Sequence, residues 1–400
     1  MRILLAHNYY RDPGGEDDVF ASERALLASR GHSVSEYVRR NDEIAEYSVG
    51  SKLMLPLRTV WARDSYAELK RLIEKDKPDV VHFHNTFPLI SPSAYYACRD
   101  AGVPVVQMLH NPRLLCPAAT LYRNGEACSD CLGRSFAWPG VVHGCYRESR
   151  LQTAAVAAML AWHQRAGTWH NLVDLYVVFT EFFRRKFVEN GFAAEKIAVK
   201  PHFLEPDPGA RADGKIGDYA LYVGRLVPEK GVRTLIEAWT GLGIPLKIRG
   251  EGPLQPLVDD LARGNPAVER VPRPTRADYF KLIKGARFLV WPSEINETFG
   301  RVAVDAFACS VAVLTARMGA NTEIVSEGRT GLGFVAGDAA ELRQVATRAW
   351  EHPEEMRAIG LRARAEYEAK YTASLNYQWL MRIYERAIAA KGRVALSASA

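Results

Sequence analysis

Hydrophobic positions along the chain cluster into short continuous runs, and between them lie stretches whose apolar residues recur at helical spacing. Residues 2–6 form the first such run, read as a buried strand. A loop over 7–16 carries Pro13, Gly14 and Gly15. A helix over 17–30 follows, acidic in its first turn and stopped by Gly31. Residues 79–83, 104–109, 173–179 and 196–200 read as further strands, and 93–101 and 182–190 as helices. A second series starts with a strand at 219–223 and a helix at 232–239, whose Val232, Leu235, Ile236 and Trp239 share one face. It continues with strands at 244–249 and 286–291. Strands alternating with helices predict parallel sheets covered by helices on both faces.

Pro, Gly and charge concentrate at 206–217, which reads as a linker. The expected organisation is therefore a domain over 1–205 with an insert at 112–147, a second over 206–372, and a terminal segment over 373–392 returning to the first. Its amphipathic helix is expected at 379–390, and 391–400 as a frayed tail. Ligands of such sheets bind beyond the carboxyl ends of the strands, so His84, His110 and Thr180, all at strand ends, should face one crevice. No Gly-x-Gly-x-x-Gly and no internal repeat is found.

Composition narrows the class. The 400 residues are 48% hydrophobic and 24% charged, with a net charge of +6. That suits an anionic ligand or membrane surface, and no zinc-finger, RNP or basic-helix motif argues for nucleic acid. The first apolar run is too short for a signal peptide, and residues 154–162 are broken as a membrane span by His163, Gln164 and Arg165. The reading is a cytosolic protein, in which disulfides are not expected.

The candidate chemistry centres on residues 291–310. An apolar run ends at Pro292, a loop with two glutamates follows, and an apolar helix resumes at Val302. The Phe299, Gly300 and Arg301 amides open that helix, and such amides form an anion site that a glycine lets a phosphate approach. Glu297 precedes them and Asp305 lies two turns on, about 12 Å away at helical rise. A glycosidase pair stands about 5–9.5 Å apart. The longer spacing suits a nucleotide-sugar, with hexose, diphosphate and ribose in line. Taken alone, a capping glutamate and a solvated aspartate are an equal reading. Arg225 and Lys230 share one loop after a strand, where two cations stabilise charge on a diphosphate leaving group. By themselves they also read as solvated loop residues.

Cys116, Cys128, Cys131 and Cys145 form another group within the insert. Four thiols with one C-x-x-C have the composition of a tetrahedral structural zinc site. Buried free thiols are the other reading. Cys98 and Cys309 are isolated and expected in the core. In the first domain Arg39, Arg40, Lys52, Arg58, Arg63, Lys70 and Arg71 are interleaved with Tyr37, Leu53, Met54, Leu55, Leu57 and Trp61. These loops suit a membrane face bearing a lipid-linked acceptor, or equally a solvated surface over ordinary core.

The motifs Gly-Arg-Leu-x-x-Glu-Lys-Gly (224–231), Gly-Glu-Gly (250–252), Pro-Ser-x-x-x-Glu-x-Phe-Gly (292–300) and Glu-x7-Asp (297–305) resemble, in order and spacing, the retaining glycosyltransferases of family 4. So does Glu323-Ile-Val-x-x-Gly328-x-x-Gly331. The resemblance implies a GT-B fold, two Rossmann-like doubly wound domains facing a central cleft. It implies that Arg225 and Lys230 hold the diphosphate with the amides at Phe299, Gly300 and Arg301. Asp305 would hold the ribose, Glu297 the transferred sugar and His110 the underside of that sugar, with Gly14 and Gly15 closing on the phosphates. The implied donor is a UDP- or GDP-sugar, the acceptor a saccharide or lipid-linked saccharide of cell-surface polysaccharide or glycoconjugate synthesis, with no catalytic metal. Three departures stand out: Asp305 where Glu is usual, Ser310 and Ala312 where Gly and Pro are usual, and Val271-Pro-Arg-Pro274 where Phe-x-Gly is common. An epimerase, a phosphorylase or a non-catalytic sugar-nucleotide binder are the competing readings.

Overall fold

A computed structural model describes residues 1–11, 14–212 and 215–398, with side chains to residue 392. The chain divides into two compact units. Unit 1 holds residues 1–121, 129–200 and 377–400; unit 2 holds 122–128 and 201–376.

Fourteen strands are found among the described residues. In unit 1 these are β1 (Arg2–Tyr9), β2 (Ser33–Arg40), β3 (Val80–Phe83) and β4 (Val105–Met108). The short pair β5 (Tyr122–Arg123) and β6 (Glu126–Ala127) is counted with unit 2, and β7 (Leu175–Val178) and β8 (Ile197–Val199) complete unit 1. Unit 2 continues with β9 (Tyr219–Val223), β10 (Leu246–Arg249), β11 (Val268–Val271), β12 (Ala286–Trp291), β13 (Ala312–Ala316) and β14 (Gly331–Phe334). The unit 1 sheet has the order β2-β1-β3-β4-β7-β8 and the unit 2 sheet β11-β10-β9-β12-β13-β14. Every pairing in both is parallel.

Strands β3, β4, β7 and β13 are buried at every residue, which is why they read in sequence as unbroken apolar runs. The strand order reverses between β1 and β3 in unit 1 and between β9 and β12 in unit 2. Crevices at such reversals are where open α/β sheets take ligands. The loops after β9 and β12 are the two singled out from sequence.

Several expectations need correction. β1 runs through Tyr9, so His7 is a strand residue, because its imidazole is buried against Asp17 rather than solvated. β2 has mostly polar, half-exposed positions and gave no apolar run. The stretch expected as basic and apolar loops is largely helical, with helices at Val49–Leu53, Leu55–Val60 and Arg63–Asp76. Tyr37 is buried, and Arg39 is bound to Glu43 at 2.8 Å and Asp64 at 3.0 Å. Residues 154–162 lie inside a helix, Arg150–Arg165, and no helix among the described residues is long and apolar enough to cross a membrane. The terminal helix runs Ala373–Ala398, past both expected ends; residues 399–400 lie outside the described residues.

One ion pair fastens unit 1 internally. Glu23, on the helix Gly15–Ser29, meets the Lys200 ammonium at 2.5 Å, and neither side chain has any exposure. Lys200 also anchors by its backbone amide to the Val178 carbonyl at 2.8 Å. A buried charge stripped of its partner costs about 3–5 kcal/mol. Lys200→Met is therefore expected to destabilise the native state by about that much in urea unfolding, and Glu23→Gln in the same chain should recover part of the loss.

Candidate functional site

In unit 2 the loop after β9 and the loop after β12 are knitted together. Gly231 has φ +68°, and a Cβ there would stand 1.9 Å from the Pro292 carbonyl oxygen. Only glycine permits both the backbone angle and that approach. The Glu294 amide donates to the Glu229 carbonyl at 3.0 Å, and the Ser293 hydroxyl to the same carbonyl at 3.3 Å. Gly250 and Gly252 sit against Gly224 and Leu226 just as tightly, so the Gly-Glu-Gly motif is a packing surface for the first loop.

The close approach brings Lys230 onto Glu297, an ion pair with both side chains mostly buried. Glu297 Oε1 also accepts from the Ser293 hydroxyl at 2.7 Å. Thr234 donates to Glu294. Arg225 projects outward at 72% exposure, 3.8 Å from Glu229. The helix after this loop, Arg301–Ala308, is preceded by Gly300, which has no side chain to cap it. A Cβ at Gly300 would strike the Trp291 ring at 2.1 Å. Phe299 is buried and its ring meets His202 edge-on at 4.8 Å. Asp305 accepts from the Tyr279 hydroxyl at 2.7 Å, and Tyr279 stays protonated because burial, then the Asp305 charge, raises its pKa far above the ordinary value.

In unit 1, His110 Nε2 lies 3.1 Å from His84 Nδ1 with the rings stacked. His84 Nε2 is 3.5 Å from Glu23, and His82 Nδ1 is 2.8 Å from the Tyr384 hydroxyl. Burial first, then the neighbouring histidines and Lys200, hold His84 and His110 well below the usual imidazole range; burial, then Lys200, brings His82 to about 3. Thr180 caps the helix Glu181–Glu189, accepting from the Phe183 amide at 3.4 Å. The Gly14 amide donates to Asp17 at 2.8 Å, whose other oxygen meets His7 Nε2 at 2.8 Å. Gly15 opens the helix Gly15–Ser29. A small cavity of about 50 Å³ is lined by Glu16, His84, Tyr95, Gln107, His110 and Arg113. Burial, then the Asp17 charge, raises the Glu16 carboxyl to about 7.

The six cysteines are free. Cys98 and Cys309 are buried, as expected, with the Cys309 thiol pushed up to about 12, chiefly by burial. Cys116, Cys131 and Cys145, in unit 1, are half-buried, and Cys128 falls on the hairpin segment. The group that does converge among the described residues is Glu23, His82 and His84, with ligand atoms within 4.8 Å of one another. There the Lys200 ammonium already supplies a cation to Glu23. Sequence reasoning missed Glu16, Glu23, Ser293 and Lys200. Ser293 sat inside a motif already quoted and Glu16 at the end of the glycine loop, whereas Glu23 and Lys200 lie 177 positions apart and gave no local signal.

Two family models match in succession: Glycosyltransferase Family 4 over residues 19–207 and Glycosyl transferases group 1 over 212–366. An uncharacterized glycosyltransferase of Methanocaldococcus jannaschii is 30% identical over 173 residues, 42% of this chain and 49% of that one, so the chain spans about half the length of that relative. A phosphatidyl-myo-inositol mannosyltransferase of Mycobacterium leprae is 24% identical over 96% of both chains. The solved structure of Anabaena HepE with UDP-glucose superposes with a TM-score of 0.66 at 19% identity, covering 96% of this chain and all of that one.

His82, His84 and His110 set an acid limit on stability. In the unfolded chain each takes a proton as pH falls through about 6.5; in the native state none does until far lower. Their stability is thus present above pH 6.5 and lost below it, by about 1.4 kcal/mol per pH unit each. Glu16 opposes this, since its native pKa is raised from 4.5 to about 7 and protonation there favours folding. These three losses, to which the burial-lowered His163 adds, outweigh the one gain, so stability falls between about pH 6 and 5. The urea midpoint should drop steeply over that interval; a flat profile would show that these imidazoles titrate normally. In its motifs, its sheets and its matched families, this chain belongs to the group 1 glycosyltransferases and has the GT-B fold.

Proposed function

We propose that the chain is a retaining glycosyltransferase that moves a sugar from a nucleoside-diphosphate-sugar to a saccharide or lipid-linked acceptor without a catalytic metal. The observation that carries the reading is the Lys230–Glu297–Ser293 clasp beside the Gly300 end of the helix Arg301–Ala308. A diphosphate needs cations and amide donors; a sugar ring needs a fixed carboxylate. This clasp has them on adjoining loops. The solved relative bound to UDP-glucose and the mannosyltransferase relative support a nucleotide-sugar donor.

Lys230 and Arg225 are the groups that neutralise charge building on the departing diphosphate. Glu297, held by Ser293, orients the transferred sugar. Asp305 takes the ribose, its position fixed by Tyr279. Being one methylene shorter than the usual Glu, it reaches less far, and the Tyr279 hydroxyl sets which way it points. His110 keeps the role beneath the sugar that the family resemblance gives it, and Gly14 and Gly15 that of phosphate contacts. As a neutral imidazole, His110 offers a hydrogen bond and not a charge. The acceptor hydroxyl attacks the anomeric carbon on the face from which the diphosphate leaves. The departing phosphate oxygen takes the acceptor proton, so no strong protein base is needed and the anomeric configuration is kept.

Lys230→Ala should raise the barrier by about 2–4 kcal/mol, roughly 30- to 1,000-fold in kcat/KM, the scale of losing one transition-state charge stabiliser. Donor turnover across UDP-, GDP- and ADP-sugars measures this, and an unchanged rate would remove Lys230 from the mechanism. Chelator should leave the rate intact; its loss on chelation would overturn the metal-free reading.

A further inference from the structure

Large apolar side chains stand exposed at fifteen described positions, and nine of them lie on one part of unit 1. The helix Arg150–Arg165 forms its spine, about 24 Å long at helical rise. Its outer line is Leu151, Ala155, Ala158, Trp162 and Arg165, spaced by four, three, four and three residues, so it is one face of the helix. Leu151 is 79% exposed and Trp162 60%. An outward face of a soluble helix is ordinarily polar.

Two further elements flank it. The helix Trp138–His143, from the cysteine-bearing insert, packs on this spine, and Arg150 Nε donates to its Val142 carbonyl at 3.0 Å. It exposes Trp138 and Val142, one turn apart. The helix Leu55–Val60 packs on the other end, where His163 Nε2 meets the Val60 carbonyl at 2.9 Å. With its neighbour Val49–Leu53 and its own C-cap Trp61 it exposes Val49, Leu53, Met54, Leu57 and Trp61. Three elements packed side by side thus present adjoining apolar and aromatic residues to solvent, more than a scatter of single exposures.

Charge says what covers them. Residues 49–61 and 134–165 together hold six Lys and Arg and one acidic residue, Glu148, a formal +5 where the whole chain carries +6. Arg134 lies over the Trp138 ring at 5.2 Å, pairing a cation with the most outward aromatic of the insert. Arg58 is partnered by Asp64, at the near end of the helix Arg63–Asp76. A second copy of the chain on this face would set cations against cations across a two-fold axis. Anionic lipid headgroups meet the cations, and their acyl boundary takes Trp, Leu and Val.

We propose that this face docks unit 1 on an anionic lipid bilayer, with the insert helix Trp138–His143 as an aromatic wedge beside the spine. The insert then has a function that needs no metal. Docking also favours the lipid-linked member of the two acceptor classes, and that step alone rests on the transferase reading.

The test uses the purified full chain and no donor, so its outcome is separate from that reading. Co-sedimentation is measured with phosphatidylglycerol-rich vesicles and with phosphatidylcholine alone, at about 0.1 M salt and at about 1 M, where the Debye length shrinks from about 10 to 3 Å. Binding is expected to the anionic vesicles and to weaken at high salt. The triple variant Leu151→Ser, Trp138→Ser, Trp162→Ser should lose about tenfold or more in partition, with its melting point near that of the parent because all three side chains are exposed. Arg134→Gln with Arg150→Gln should lose binding to anionic vesicles selectively. A parent chain that stays in the supernatant with anionic vesicles at low salt overturns the proposal. So does a triple variant that sediments like the parent, or a parent dimer that the triple variant dissolves.

Discussion

The glycine at 231 and the carbonyl it faces decide the geometry of unit 2's working edge. With a Cβ excluded at 1.9 Å from the Pro292 oxygen, the loop after β9 lies flush on the loop after β12. That contact places an ammonium and a carboxylate, 67 residues apart in sequence, on each other. Gly300 against Trp291, and Gly250 against Gly224, repeat the device. Each glycine removes a side chain where another backbone or, at Gly300, an indole ring must share the space, and the polar groups nearby gain fixed positions as a result. The motif glycines therefore act mainly on protein packing, and their effect on a ligand follows from it.

Unit 1 meets a different constraint. Three buried histidines, His7, His82 and His84, are gathered with Glu23 and Lys200 beneath the ends of β1, β3 and β8, with the half-buried His110 after β4 beside them. Desolvation there is stronger than any single partner, and it keeps His82, His84 and His110 uncharged. The one full charge pair, Glu23 with Lys200, is the part that is expensive to disturb. A rigid neutral network suits a surface that must meet polar ligands without competing for their charge.

Much of this was legible in the sequence for a simple reason. Mostly buried parallel strands such as β9 and β12 leave nearly continuous apolar runs, and their boundaries were read correctly at 219–223 and 286–291. The helix Val232–Trp239 was equally plain, since its buried face repeats at helical spacing. β2 was invisible because it is a sheet edge with polar, half-exposed residues. The helix Arg150–Arg165 was passed over because its outward face is apolar, which blurs the contrast on which periodicity depends. Within the site, Lys230 and Glu297 stood in recognisable motifs, but that they touch was not readable, since the contact is made by tertiary packing at Gly231. Glu23 and Lys200 carry no motif at all, and only the fold brings them together.

The terminal helix Ala373–Ala398 has a temporal consequence. Its Tyr384 is buried against His82 of β3, so the unit that begins the chain contains a piece of its end. A ribosome emits residues 1–200 long before that piece exists, while residues 201–376 can collapse as soon as they emerge. The unit whose residues emerge first is completed only after residues 201–376 have followed, and until the helix Ala373–Ala398 arrives, the nascent chain carries an open seam over its buried histidines.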